Sequence, residues 1–140
     1  MVSINYLAVL VATIASIVLG FLWYGPLFGK EWIRLMGFTQ ESMADAKKKG
    51  MTMQYSLMTV GSLLMSYALA HAVIFGSAYL GVTGIPAGIM AGFWNWFGFI
   101  APVTLGSVIW EGKQWKLWFL NNSYYLVSLS IMGVILSVWR

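Results

Sequence analysis

The chain has 140 residues, of which 60% are hydrophobic and only 9% charged, against roughly 25% charged in an ordinary soluble domain. Its formal charge of +4 does not point to nucleic acid, because the basic residues cluster beside apolar segments instead of forming a broad stripe. Cysteine is absent, which excludes disulfides, thiol catalysis and thiolate metal sites; the single histidine, His71, excludes a multi-histidine centre within one subunit.

The first apolar segment, from about Ile4 to Trp23, carries no charge. It has the position of a signal-peptide core but not its flanks, since no Lys or Arg precedes it and the positive charge follows it; we expect it to be retained. Ala8, Ala12, Ala15 and Ser16 offer a small-residue face for close helix contact. Trp23-Tyr24-Gly25-Pro26 reads as a headgroup-level aromatic belt followed by a helix stop.

The linker from Pro26 to Gly50 is the one sizeable polar stretch. Trp32, Leu35, Met36 and Phe38 predict a short interfacial turn. Thr39 predicts an N-cap, with Glu41 in the first turn and Lys47, Lys48 and Lys49 in the last, an order that suits the helix dipole at both ends. The alternative is a loosely ordered loop.

The second segment spans about Thr52 to Phe75, and its Ser56, Thr59, Ser62 and Ser66 are expected to bond to carbonyls one turn earlier. The glycine-rich connector from Gly76 to Gly84 predicts that segments two and three are antiparallel neighbours. Segment three, Ile85 to Trp110, would run about 39 Å as a helix, enough to cross a hydrocarbon core with tilt. Segment four covers about Leu117 to Trp139 after the polar turn from Glu111 to Lys116. The fold expected is therefore all-α, a single domain over 1–140 of four transmembrane helices with a short interfacial helix in the first linker. Seven of the 8 basic residues lie in linkers one and three, which places those linkers in the cytoplasm and both termini outside.

Two stretches echo one another. Gly20, Trp23 and Gly25, followed by Lys30 and Trp32, parallel Gly106, Trp110 and Gly112, followed by Lys113 and Trp115. A duplicated two-helix unit and a repeated interface grammar both explain this.

Asn5 to Val9, Leu19-Gly20-x-x-Trp23-Tyr24-x-Pro26 and Phe28-Gly29-Lys30-x-Trp32 resemble the start of a bacterial membrane family, domain of unknown function 1761. The likeness continues through Gly92-Phe93-x-x-Trp96-x-Gly98-Phe99, Ala101-Pro102, Trp110-Glu111-Gly112 and Trp115-Lys116-x-Trp118-x-x-Asn121 to Tyr124 and Met132-Gly133. The resemblance implies a small multi-span protein of the bacterial inner membrane and carries no catalytic residue.

Several residues are candidates for function. Gly84, Gly88, Gly92, Asn95, Phe99 and Pro102 recur at steps of three and four, a face for close packing within the chain or across a dimer, or for a ligand held against bare backbone. Asn95, near mid-membrane, must find partners, and a cluster with Asn121, Asn122 and Tyr125 of segment four is expected, as structural glue or as part of a solute site. Pro102 cannot donate to the carbonyl of Gly98, so a bend there, beside a pocket lined by Trp94 and Trp96, is expected to serve packing or gating. His71 has no acidic partner in its segment and reads as helix-bonded or interfacial, with titration or ligation as alternatives. Glu111 is expected to pair with Lys113, Lys116 or Arg34.

No paired carboxylates, catalytic triad spacing or phosphate loop is present, so no enzyme, metal or cofactor is expected. The expected partners are lipids and a second copy of the chain. Transport of a small solute by an oligomer is the leading reading, with Asn95, Asn121, Tyr125 and His71 along the route. A non-catalytic interaction or regulatory protein acting through helix contacts is the alternative.

Overall fold

The computed structural model describes residues 3–140, which are helical with no strand among them. Four helices are long and apolar enough to cross a membrane: Tyr6–Leu27, Thr52–Leu80, Gly84–Ile109 and Trp115–Val138, here spans one to four. This is a multi-pass membrane protein.

Span one is helix α1 (Tyr6–Leu22) continued by a π-helical turn, Trp23–Leu27. Asn5 caps it, its Oδ1 accepting from the backbone N–H groups of Leu7 and Ala8 at 3.1 Å. Pro26 does not stop the helix at Trp23–Tyr24, as the sequence suggested. Widening the turn lets Phe28 N–H donate to the Trp23 carbonyl at 2.8 Å, so the chain accommodates a residue without a donor and runs on to Leu27.

Linker one folds as two short helices, α2 (Gly29–Met36) and α3 (Gln40–Lys49). Gly37, at φ +72°, ends α2 in the left-handed conformation that favours glycine. Thr39 caps α3 as expected, in a reciprocal pair with Ser42 at 2.9 and 3.0 Å.

Span two is α4 (Thr52–Leu80), which runs past Phe75 through the glycine at 76. That leaves only Gly81 to Thr83 as connector, so spans two and three are tightly hinged antiparallel neighbours. Span three consists of α5 (Gly84–Asn95), a second π-helical turn (Trp96–Ile100), α6 (Ala101–Thr104) and α7 (Gly106–Ile109). Span four is α8 (Trp115–Val138), the hub against which every other span packs.

The bundle has two unlike ends. One carries both termini and the span two–three connector, the other linkers one and three. The apolar core (Ala8, Val9, Ala12, Leu69, Ala70, Val73, Leu129, Met132 and Leu136) belongs to the termini end. There the Val9 carbonyl accepts from Thr13 Oγ1 at 2.8 Å and from Ser66 Oγ at 2.9 Å, so a single acceptor ties span two to span one. Spans three and four meet most closely. A methyl group added to Gly133 would stand 2.2 Å from the Gly88 carbonyl oxygen, and one added to Gly92 2.6 Å from that of Leu129. Such backbone approach gains dispersion and Cα–H contacts where lipid removes the usual drive to bury apolar surface.

Candidate functional site

Of the glycines predicted to share a face, Gly88 and Gly92 form the contact with span four. Gly84 and Gly98 do not, and each has open space where a side chain would stand. Pro102 and Phe99 are exposed as well. The π-helical turn explains the correction. An ordinary helix keeps a face by mixing steps of three and four, but the extra residue in the turn lets the chain hold its face by fours. Gly88, Gly92, Trp96, Ile100 and Thr104 are consequently buried or half-buried, while Gly98, Phe99 and Pro102 turn outward. The contact is within one chain, so a dimer has to use some other surface.

The polar cluster also differs from the one expected. Asn95 does not reach span four. Its Nδ2 donates to its own helix, at the Ala91 carbonyl, 2.8 Å away. Thr104 takes the place expected of Asn95: Asn122 Nδ2 donates to Thr104 Oγ1 at 3.0 Å and to the Trp118 carbonyl at 3.1 Å, and Trp118 Nε1 donates to Thr104 Oγ1 at 3.1 Å. Asn122 is only 2% exposed, so each of these bonds satisfies a group that would otherwise be stranded.

A second cluster joins spans one and four. Tyr24 donates its hydroxyl to Asn121 Oδ1 at 2.8 Å, Tyr124 donates to the Ser16 carbonyl at 3.0 Å, and Ser128 donates to Ser16 Oγ at 2.9 Å. Trp23 Nε1 reaches the Leu120 carbonyl at 3.2 Å. Tyr125, expected to act beside Asn121, packs its ring 5.2 Å from that of Tyr124 and has no hydrogen-bond partner for its hydroxyl among the described residues. Asn121 and Asn122 thus serve different neighbours, span one and span three.

His71 stays on its own helix. Its Nδ1 lies 2.9 Å from the Tyr67 carbonyl, an acceptor only, so this nitrogen carries the proton and donates. The ring stands edge-on to Tyr67 at 4.7 Å. Trp94 and Trp96 do not share a pocket. Trp94 borders a 140 Å³ fissure between spans two and three, together with Ser77, Ala87 and Asn95, whereas Trp96 packs against the core with its Nε1 buried and unpartnered among the described residues.

At the linker end Glu31, not Glu111, organises the charges. Its carboxylate accepts from Arg34 and, across from linker three, pairs with Lys116 at 2.7 Å. The hydrogen bond from Arg34, then that from Lys116, hold the Glu31 carboxyl down to about 2. Glu111 makes no ion pair among the described residues.

Span two behaves differently at its two ends. Ser62, Ser66, Leu69, Ala70, Val73 and Ser77 form its buried stripe, all in the part nearer the termini. Toward the linkers the stripe continues as Thr52, Ser56 and Thr59, but every residue from Met51 to Gly61 is exposed. Its main contacts with span three are with α5, and Tyr55 keeps it beside span one through Phe21, ring centroids 5.7 Å apart. Toward the linkers span two thus keeps its contact with span one and buries nothing from Met51 to Gly61, and we read the gap between it and the far part of span three as a wedge that opens toward the linkers.

Sequence reasoning placed Ser16 on a contact face and Tyr24 in an interface belt but missed their hydrogen bonds to span four, and it missed the roles of Thr104, Ser128 and Gly133. Gly133 and Ser137 stand four apart on span four and mirror Gly88 and Gly92, a signal that was there to be read. No such spacing announces Thr104, whose position depends on the π-helical turn.

No curated protein and no solved structure matches the chain. The family model described as "Protein of unknown function (DUF1761)" matches residues 7–137, nearly the whole length. The match takes in all but the outermost residues of spans one and four, and the chain belongs to this family.

Proposed function

We propose that the protein is a non-enzymatic, transport-type membrane protein in which the linker-end wedge admits a small uncharged solute and span two is the moving element. The observation that carries this reading is the divided grip on span two: buried from Ser62 to Ser77, exposed from Met51 to Gly61. A helix clamped at one end and free at the other is a natural lever, since segments with few buried contacts open at low cost. The stripe that would line the wedge offers the hydroxyls of Thr52, Ser56 and Thr59 and no charge, which suits a neutral solute. Seven of the 8 basic residues lie at the linker end, so the wedge faces the cytoplasm under the positive-inside rule, in a bacterial inner membrane.

Asn121 and Asn122 hold the spans together in this reading and do not line the route, because their side chains are engaged with Tyr24, Thr104 and the Trp118 carbonyl. Oligomerisation, if the work requires it, proceeds through surfaces other than Gly88 and Gly92.

A second reading, a regulatory or interaction protein, draws on one observation. Ser56 and Thr59 already donate to carbonyls of their own helix at 2.8 Å, which leaves a small, satisfied stripe suited to a partner helix. Because the chain has no cysteine, single cysteines are informative. A membrane-impermeant maleimide should modify Ser56→Cys and Thr59→Cys but not the lipid-facing Leu57→Cys and Leu64→Cys. Equal silence at all four positions would end the transport reading and favour a wedge filled by lipid or by another helix.

A further inference from the structure

We infer that the cavity at the termini end is a binding site for a single-chain amphiphile with an anionic head, of the class of a short fatty carboxylate. The cavity is 260 Å³ and lies among spans one, two and four, away from the wedge. Its floor is apolar and buried, formed by Ala8, Ala70 and Leu136, with Ile74 on the wall. Its rim is rich in donors. Asn5 spends its Oδ1 on capping α1, which leaves Nδ2 with only a long 3.4 Å contact to the Trp139 carbonyl. Arg140 lies over the cavity and donates through Nη2 to Ser77 of span two, while the rest of its guanidinium meets no carboxylate among the described residues.

An arginine at a membrane surface ordinarily extends its head into water. Here Arg140 stays exposed but is bonded back to Ser77 at the edge of a cavity with an apolar floor, where an anion would gain charge-assisted bonds from a planar, always-charged fork. The chemistry required of the ligand follows: an anionic group for Arg140 and Asn5, and an alkyl chain for the floor. The volume lies just below the roughly 300 Å³ at which pockets for drug-sized ligands begin, which selects a short single chain over a two-chain lipid. A free phosphate would satisfy the rim and leave the floor unused.

The test is equilibrium binding of radiolabelled decanoate to the whole chain in phosphatidylcholine nanodiscs, with empty nanodiscs subtracted. The wild type should show a saturable component, and Arg140→Gln should weaken it about tenfold, while Arg140→Lys, which keeps the charge and loses the fork, should weaken it less. Ile74→Trp, which fills the cavity and leaves the rim, should abolish saturable binding. Decanol should compete poorly, and inorganic phosphate should not displace the probe. The inference is overturned by an absence of saturable binding to the wild type, by wild-type binding in both Arg140→Gln and Ile74→Trp, or by inorganic phosphate displacing as well as decanoate. Arg140 is exposed, so its variants test the head-group contact even if Ile74→Trp disturbs the fold.

Discussion

The termini end of the bundle is held by packing, and the linker end by hydrogen bonds and aromatic rings. At the first, small residues allow close packing: Ala8 and Ala12 are buried on span one, and the backbones of Gly88 and Gly92 on span three press against Gly133 and Leu129 on span four. At the second, spans one and three reach span four through Tyr24–Asn121 and Thr104–Asn122, and span two is left out. The difference teaches how a small membrane protein can be stable and open at once. Lipid tails offer helices no hydrophobic reason to associate, so only close approach or specific polar bonds hold a span. A span given neither from Thr52 to Gly61, as span two is, is loosely held there.

The sharpest way to break the contrast is at the glycines. Gly88→Ala would place a methyl 2.4 Å from the Gly133 carbonyl oxygen, backbone that cannot rotate aside. We expect a loss of about 3 kcal/mol, read as a lowered unfolding midpoint in mild detergent. Gly98→Ala, in the same span, meets nothing within 4 Å and should be neutral or stabilising by up to about 1 kcal/mol through helix propensity. Equal effects at the two positions would contradict the packing account.

Polar bonds should matter less. Asn122→Leu removes donors to Thr104 and the Trp118 carbonyl and should cost about 1 kcal/mol, near the upper part of the range for interhelical bonds in membranes. Tyr24→Phe strips one hydroxyl from Asn121 and should cost about 0.6 kcal/mol in the same unfolding assay. Applied together with Asn122→Leu, it should be nearly additive, because the two bonds lie on different span pairs.

The smallest effect belongs to Glu31. Its carboxyl is lowered to about 2 in the folded protein from an unfolded value of 4.5. A depressed acid contributes stability that is fully present above the unfolded value and lost as pH falls through the folded one. The proximity of linkers one and three, measured by energy transfer between labels, should therefore be constant above pH 5 and decline between about 4.5 and 2. Glu31→Gln should remove that dependence. The group is solvent-exposed and screened, so any change in global stability should be small.

Much of this architecture was legible in the chain. Four uncharged apolar runs, the Thr39 cap with its closing lysines, and the close-packing role of Gly88 and Gly92 follow from composition and spacing alone. Two π-helical turns were not legible, and they account for most of what was misplaced. The first carries span one past Pro26. The second turns Thr104 toward span four, where it meets Asn122; Asn95 precedes that turn and bonds to its own helix. The sequence echo is altered as well: Trp23 opens a π-helical turn, as Trp96 does, whereas Trp110 lies just past the last turn of α7. Ion-pair choice was also hidden. Glu31 and Glu111 are both near Lys116 in plausible foldings, and only the docking of α2 onto span four selects the first.

The central claim is that span two is fixed at one end and free at the other, and pulsed electron-spin distance measurement tests it most directly. Spin labels on exposed sites would pair Tyr79→Cys with Val138→Cys at the termini end, and Met53→Cys with Phe119→Cys at the linker end. The account predicts a narrow distance distribution for the first pair and a broad or multiple one for the second. Two equally narrow distributions would contradict it, showing that span two is held along its whole length and that the wedge is not a moving part.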